Sequence, residues 1–276
     1  MSGPAATVTF ALDAHVHVYP CHDADRALRT LIRRLPILAA GRPEVLPAAC
    51  LAESAACAWF RQLAAGAGRL SADIRVRPAD DPAGLWCETS DGSLLLVAGR
   101  QIITAERLEI LALAVAAEFP DGLAAADAIA RVRAAGGVPV LSWAPGKWFG
   151  GRGRAVSRLL AETAPDSLLI GDTSLRPLGW GEPALMRQAR RFGFRIVAGS
   201  DPLPLPGEER VLGGYGCTLA APCDREHPVA SLRGALASAA VPIRIAGRRG
   251  APWTVARRLA AHAAARRGAR RGFGQG

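Results

Sequence analysis

Between Asp121 and Ala198 the chain alternates helix-like and strand-like segments, and each strand-like run ends in a polar or glycine-rich cluster. Gly122 to Ala135 has helical spacing, with Asp121 before it as a cap and Gly136-Gly137 after it as a stop. Val138–Ser142, Ser167–Ile170 and Arg195–Ala198 are apolar, β-prone runs, separated by helical patterns at Ala155–Glu162 and Glu182–Phe192. Such alternation predicts a mainly parallel sheet covered by helices, with ligands at the carboxyl ends of the strands. The total of 276 residues suits one α/β barrel, a fold of about 250 residues.

The first half fits the same scheme with one interruption. Thr7–Leu12 reads as a strand that runs into Asp13-Ala-His15-Val-His17. Asp23 can cap a helix whose apolar positions are Leu28, Leu31, Ile32 and Leu35, and a strand at Val45–Leu51 precedes a helix at Ser54–Ala65. Ile74–Arg77, Leu85–Glu88, Leu94–Val97 and Gln101–Ile103, with a turn at Ser90-Asp91-Gly92, read as a β-hairpin insertion. Leu108–Ala114 fits either a strand or a helix.

Composition narrows the class. The chain is 50% hydrophobic and 21% charged, which excludes disordered, collagenous and coiled-coil proteins. The apolar run Ile110–Ala117 is too short to cross a bilayer, and Met1–Ala14 lacks a basic start and carries Asp13, so neither a membrane partner nor a secretory signal is expected. Six cysteines without a Cys-x-x-Cys pair, in a chain of this length, suit reduced thiols and a cytoplasmic location. The formal charge is +10, but nine arginines and no acid fall between Arg244 and Gly276; of the 34 basic residues 25 remain in residues 1–243, against 24 acids. The expected organisation is therefore a neutral body, 1–246, and a basic Arg/Ala/Gly-rich extension, 247–276, with a short helix at Trp253–Ala265. Arg257, Arg258, Arg266, Arg267, Arg270 and Arg271 could neutralise phosphates on nucleic acid, but no aromatic ladder or base-reading motif accompanies them, so only non-specific contact through a solvated tail is expected.

Three groups of residues at the strand ends carry chemistry. In an extended segment side chains repeat every two residues, so Asp13, His15 and His17 share a side. Two neutral imidazoles there can hold zinc, manganese or iron, or can simply hydrogen-bond within a loop. Asp201, after Gly199-Ser200, brings a carboxylate to the same mouth or caps the turn before Pro202. The segment Ser142–Arg154 contains the chain's one lysine, Lys147, with Arg152 and Arg154, while Trp143 and Trp148 offer flat apolar walls; it reads as an anion site or as a solvated glycine-rich loop. Asp172 and Arg176 follow the next strand, where Arg176 can bind a phosphate or carboxylate in bidentate fashion or pair with Asp172. His22 is a candidate third imidazole, His227 and His262 read as surface groups, and Cys21 reads as a small apolar filler.

Leu12-Asp-Ala-His-Val-His17, Ala98-Gly-Arg-Gln-Ile-Ile-Thr104, Gly136-Gly-Val-Pro-Val-Leu141 and Val197-Ala-Gly-Ser-Asp201, in that order over roughly residues 8–215, resemble the ordered motifs of the polymerase and histidinol phosphatase (PHP) family, which is similar to the amidohydrolases. The resemblance implies a distorted TIM-like (β/α) barrel and a cluster of up to three metals that hydrolyses phosphoesters. Several expected ligands are replaced: a Thr-Asp-His motif falls on Ala52-Glu53-Ser54, the bridging glutamate on Gln101, and histidines on Leu111, Trp143 and Leu203. What remains implies one divalent ion (Zn, Mn or Fe) on His15, His17 and Asp201. Asp201, Glu53 and Lys147 would be catalytic, and Lys147, Trp148, Arg152, Asp172 and Arg176 would bind substrate. The implied activity is hydrolysis of a small anionic, phosphorylated substrate; the alternative is a degenerate relative that binds such a ligand without turnover.

Overall fold

The computed structural model describes residues 6–55 and 57–272. In chain order the elements are β1 (Ala6–Val16), α1 (Ala24–Leu38), β2 (Val45–Leu51), α2 (Trp59–Ala64), β3 (Arg75–Pro78), β4 (Gly84–Thr89), β5 (Gly92–Val97), β6 (Gly99–Ile103), β7 (Glu109–Leu113), α3 (Ala125–Ala134), β8 (Val138–Ser142), α4 (Gly150–Glu162), β9 (Leu169–Thr173), α5 (Ala184–Arg191), β10 (Ile196–Gly199), β11 (Tyr215–Cys223), α6 (Pro228–Ala237), β12 (Arg244–Gly247) and α7 (Pro252–Gly272).

The strands form two open mixed sheets. One has seven strands in the order β12-β11-β1-β2-β5-β4-β3, the other five in the order β10-β9-β8-β7-β6. Only β1/β2, β2/β5, β8/β9 and β9/β10 are parallel; the other six pairings are antiparallel. This corrects the expectation of a mainly parallel TIM-like barrel. Three local features account for the difference. β11 lies antiparallel along β1, from Ala6↔Cys223 to Leu12↔Cys217, and so fills the edge where a barrel would be closed by a parallel strand. The β3-β4-β5 meander turns at residues 89–92, near the expected turn, but is no insertion, because β5 pairs directly with β2. The chain then passes from β5 to β6 through Ala98 alone, and α2 spans six residues rather than the twelve expected, so helical crossovers are scarce.

The first core lies between the two sheets and extends under α1 and α6, and the second lies between the five-stranded sheet and α3, α4 and α5. Phe10, Leu12, Leu95 and Leu96 pack with Leu28, Leu31, Ile32 and Leu35 of α1 and with Leu232 and Leu236 of α6. The second core joins Ile102, Ile110, Ile170 and Ile196 to Ile129, Val156 and Met186 of α3, α4 and α5. On β7, Leu111 and Leu113 face the first core while Ile110 and Ala112 face the second, the period-two pattern of a strand buried on both sides. Asp23 caps α1 as the sequence predicts, accepting from the backbone N–H of Arg26 at 3.0 Å.

The sheets meet at isolated hydrogen bonds rather than along a shared ladder. Asp201 N–H donates to His15 O (2.9 Å), and near α2 Glu53 N–H donates to Gly99 O (3.1 Å) and Gln101 N–H to Glu53 O (2.9 Å). Gly199 makes the first junction possible, since a Cβ there would lie 2.3 Å from the His15 nitrogen. No helix among the described residues is long and apolar enough to cross a membrane.

Candidate metal centre and its cavity

The junction of β1 with the end of β10 builds the site. His15 on β1 and His17 just past its end are buried and bring their Nε2 atoms to 3.0 Å of each other. Asp201 Oδ1 lies 3.6 Å from His15 Nε2 and 3.8 Å from His17 Nε2. A ligand atom from each residue lies within 4.8 Å of the others. Zinc–nitrogen bonds of about 2.0–2.1 Å place tetrahedral ligand atoms roughly 3.3 Å apart, so the triangle has the right size for one ion. Burial, above all, lowers the His15 pKa to about 4 and the His17 pKa to about 3, and keeps both rings neutral with a lone pair to donate. Asp201 has φ 46°, a left-handed conformation uncommon for a side-chain-bearing residue, and the backbone bond to His15 O holds it there. Its carboxyl pKa is raised by burial, against the pull of His17 and Lys147.

Asp13 shares the strand but not the metal triangle. Its oxygens accept from the backbone N–H groups of Ser200 (2.9 Å), Gly213 (3.0 Å) and His15 (3.2 Å), which lash β1 to the β10 end. Burial raises its pKa to about 6 despite those bonds. Ser142, at the end of β8, comes within 3.4 Å of His15 Nδ1, and its carbonyl accepts from Trp148 Nε1 at 3.1 Å.

The triangle opens into a cavity of about 300 Å³ lined in part by His17, Tyr19, Gln101, Glu109, Lys147 and Asp201. Tyr19 stacks on His17 at 5.0 Å. Gln101 sits beside the histidines, with its amide nitrogen 3.5 Å from Glu109 Oε1. Glu109 is a carboxylate that the motif reading did not single out, and it forms an ion pair with Lys147. Its signal was an acid at the head of the apolar run Glu109–Leu113, where a carboxylate is buried only with a partner.

No protein-family model and no curated protein matches this chain. Among solved structures it is similar to PsfC from Pseudomonas syringae PB-5123, at a TM-score of 0.55 and 13% identity over 94% of this chain and 98% of that one. At that identity the likeness is one of fold.

The remaining expected site residues lie elsewhere or point elsewhere. Glu53 accepts from Phe60 N–H at 2.9 Å and so caps α2. Trp148 lines a separate apolar pocket with Trp143, Phe149, Trp180 and Leu185. Arg152 folds back onto the Gly146 carbonyl at 2.7 Å. Asp172 and Arg176 satisfy each other: Arg176 Nε is 2.9 Å from Asp172 Oδ1, its Nη2 pairs with Oδ2, and Tyr215 donates to Oδ2 at 2.7 Å. His22 accepts from Tyr19 N–H (3.3 Å) and lies 2.9 Å from Leu203 O, pinning the loop after Asp201. His227 is an exposed partner of Asp80, whereas His262, expected at the surface, is half-buried and lines the cavity. Cys21 is exposed; burial pushes the Cys217 thiol up to about 12. The side chains of Arg270 and Arg271 lie outside the described residues.

Proposed function

We propose that this chain is a metal-dependent hydrolase of PHP or amidohydrolase type acting on a small phosphorylated anion. The observation that carries the reading is the convergence of two neutral imidazoles and a carboxylate, His15, His17 and Asp201, beside a cavity that His17, Asp201 and Lys147 line. These three side chains would hold the ion, which when bound supplies Lewis acidity and a water that ionises near neutrality. Ser142 orients the His15 ring from the side away from the triangle, as outer partners of metal histidines do. Asp201, with its raised pKa, can accept a proton at its carboxylate. Lys147 brings a positive charge that Glu109 fixes in place, suited to orienting an anionic substrate. One feature favours the second reading, binding without turnover: the amide of Gln101 beside the histidines contributes no charge to hold a second cation.

Metal per chain, measured by elemental mass spectrometry, tests the reading in the untagged protein beside a His15→Ala/His17→Ala double variant, with phosphomonoester hydrolysis measured on both. About one zinc, manganese or iron per wild-type chain, lost together with hydrolysis in the variant, is expected. Hydrolysis that survives without the histidines overturns the reading, and retained metal with no hydrolysis of any ester favours binding alone.

A further inference from the structure

The basic C-terminal segment is not only a tail. Val255, Arg258, Leu259, His262 and Arg266 recur at the three- and four-residue spacing that places them on one face of α7. The first part of that face anchors the helix. Val255 is buried, and Arg258 clamps Glu208 through Nε at 2.9 Å and Nη2 at 2.7 Å, with Nη1 3.4 Å from Ser174 Oγ. Glu208 also accepts from Leu203 N–H at 3.0 Å, so α7 is tied to the loop that follows Asp201.

The next positions, Leu259, His262 and Arg266, then line the same cavity as His17, Lys147 and Asp201. Two features of this end of the cavity point to a ligand. Neither ring nitrogen of His262 has a hydrogen-bond partner among the described residues; Nδ1 is enclosed, whereas Nε2 is not. Arg266 stands exposed at the mouth of the cavity and makes no ion pair among the described residues, whereas Glu109 already offsets much of the charge on Lys147. Burial and the nearby charges of Arg266 and Lys147 lower the His262 pKa, so the ring is neutral, and its Nε2 can carry a hydrogen to donate into the cavity.

We propose that His262 and Arg266, together with Lys147, form a subsite that binds the phosphoryl group of a small phosphorylated ligand, delivered to the cavity by α7. The planar guanidinium offers two donors matched to two phosphate oxygens, the lysine a point charge and the imidazole a single neutral donor. A volume of about 300 Å³ is at the lower end for small-molecule sites and suits a compact phosphate ester. The subsite rests on the hydrolase reading for turnover but not for phosphate binding.

The test is titration of the full-length protein with inorganic phosphate by isothermal calorimetry, with metal content measured on the same samples. Arg266→Gln and His262→Gln are each expected to weaken phosphate binding about tenfold, and the double substitution more, at unchanged metal content and unchanged circular dichroism. Arg266→Lys should recover part of the loss, and Arg267→Gln, at an exposed position that does not line the cavity, should bind phosphate as the wild type does. Wild-type protein that does not bind phosphate, or a double variant that binds it within twofold of wild type, overturns the proposal. Phosphate binding that depends on Arg266 in protein that takes up no metal would refute the hydrolase reading and leave the subsite standing.

Discussion

Two polar clusters sit at strand ends of the same molecule and have opposite fates. At the end of β9, Asp172 receives Arg176, Tyr215 and a backbone N–H, so its oxygens are fully used inside the protein. At the junction of β1 and β10, His15, His17 and Asp201 point their ligand atoms at one another across gaps of 3.0 to 3.8 Å, beside a cavity that His17 and Asp201 line. Both clusters are buried and both contain acid and base, so neither burial nor charge distinguishes structure from function here. The distinction is satisfaction: where every lone pair has an internal donor nothing is left for a ligand, and where three ligand atoms converge with at most one hydrogen between the two imidazoles a ligand has a place.

The largest difference between the clusters is expected at Arg176. Replacing it by alanine leaves the buried Asp172 carboxylate facing only Tyr215 and a backbone N–H, and removal of one partner from a buried pair costs about 3–5 kcal/mol. A fall in melting temperature on the order of 10 °C is expected by calorimetry, with metal content unchanged once the variant is folded. Loss of metal without loss of stability would show that the Asp172 cluster belongs to the site after all.

Acid should strike the other cluster. The folded-state pKa values of His15 and His17, about 4 and about 3, lie below the usual 6.5. Their contribution to stability is therefore complete above pH 6.5 and is lost as the pH falls from there toward 4, where the unfolded chain takes up protons that the folded one refuses. Asp13 acts with the opposite sign: with its pKa raised to about 6, it costs stability as the pH rises from 3.8 through 6. Asp201, also raised by burial, acts in the same sense as Asp13, so urea midpoints of the chelator-treated protein should still fall between pH 6.5 and 4.5, by less than the two histidines alone would give. The slope should flatten in the His15→Ala/His17→Ala variant; an equal slope there would place the titration elsewhere.

The sequence disclosed the two clusters unequally well. Asp13 and His15 share β1 and His17 follows its last residue, so a two-residue period is decisive there, and the cap and apolar face of α1 are local as well. Fate depended on partners far along the chain. Tyr215, which completes the Asp172 cluster, lies on β11, and nothing in residues 215–223 set that strand apart from its glycine- and proline-containing surroundings. Without β11 the alternation of strands and helices reads as a barrel; with it, β1 is flanked on both sides and the sheet remains open. The same reason hid Glu109 as the partner of Lys147, and the face of α7 that brings His262 to the cavity was masked by the arginines around it. Glu53 was legible as a carboxylate beside the junction, but α2 begins six residues later and its free backbone N–H groups claim that carboxylate.

The finest version of the comparison removes one polar contact from each cluster. Tyr215→Phe deletes a single hydrogen bond to Asp172 Oδ2 and keeps the ring in place, so a loss of about 1 kcal/mol and full metal content are expected. Asp201→Asn keeps nearly the same shape, and asparagine tolerates the left-handed backbone at φ 46° better than most residues. It also removes a buried charge from beside two neutral imidazoles, so stability in chelator should change by less than about 1 kcal/mol or rise slightly. Metal binding should nonetheless collapse, because an amide is a poor substitute for a carboxylate ligand on a divalent ion. A cluster built for stability would show the reverse, with the cost appearing in the melting curve and the metal content indifferent.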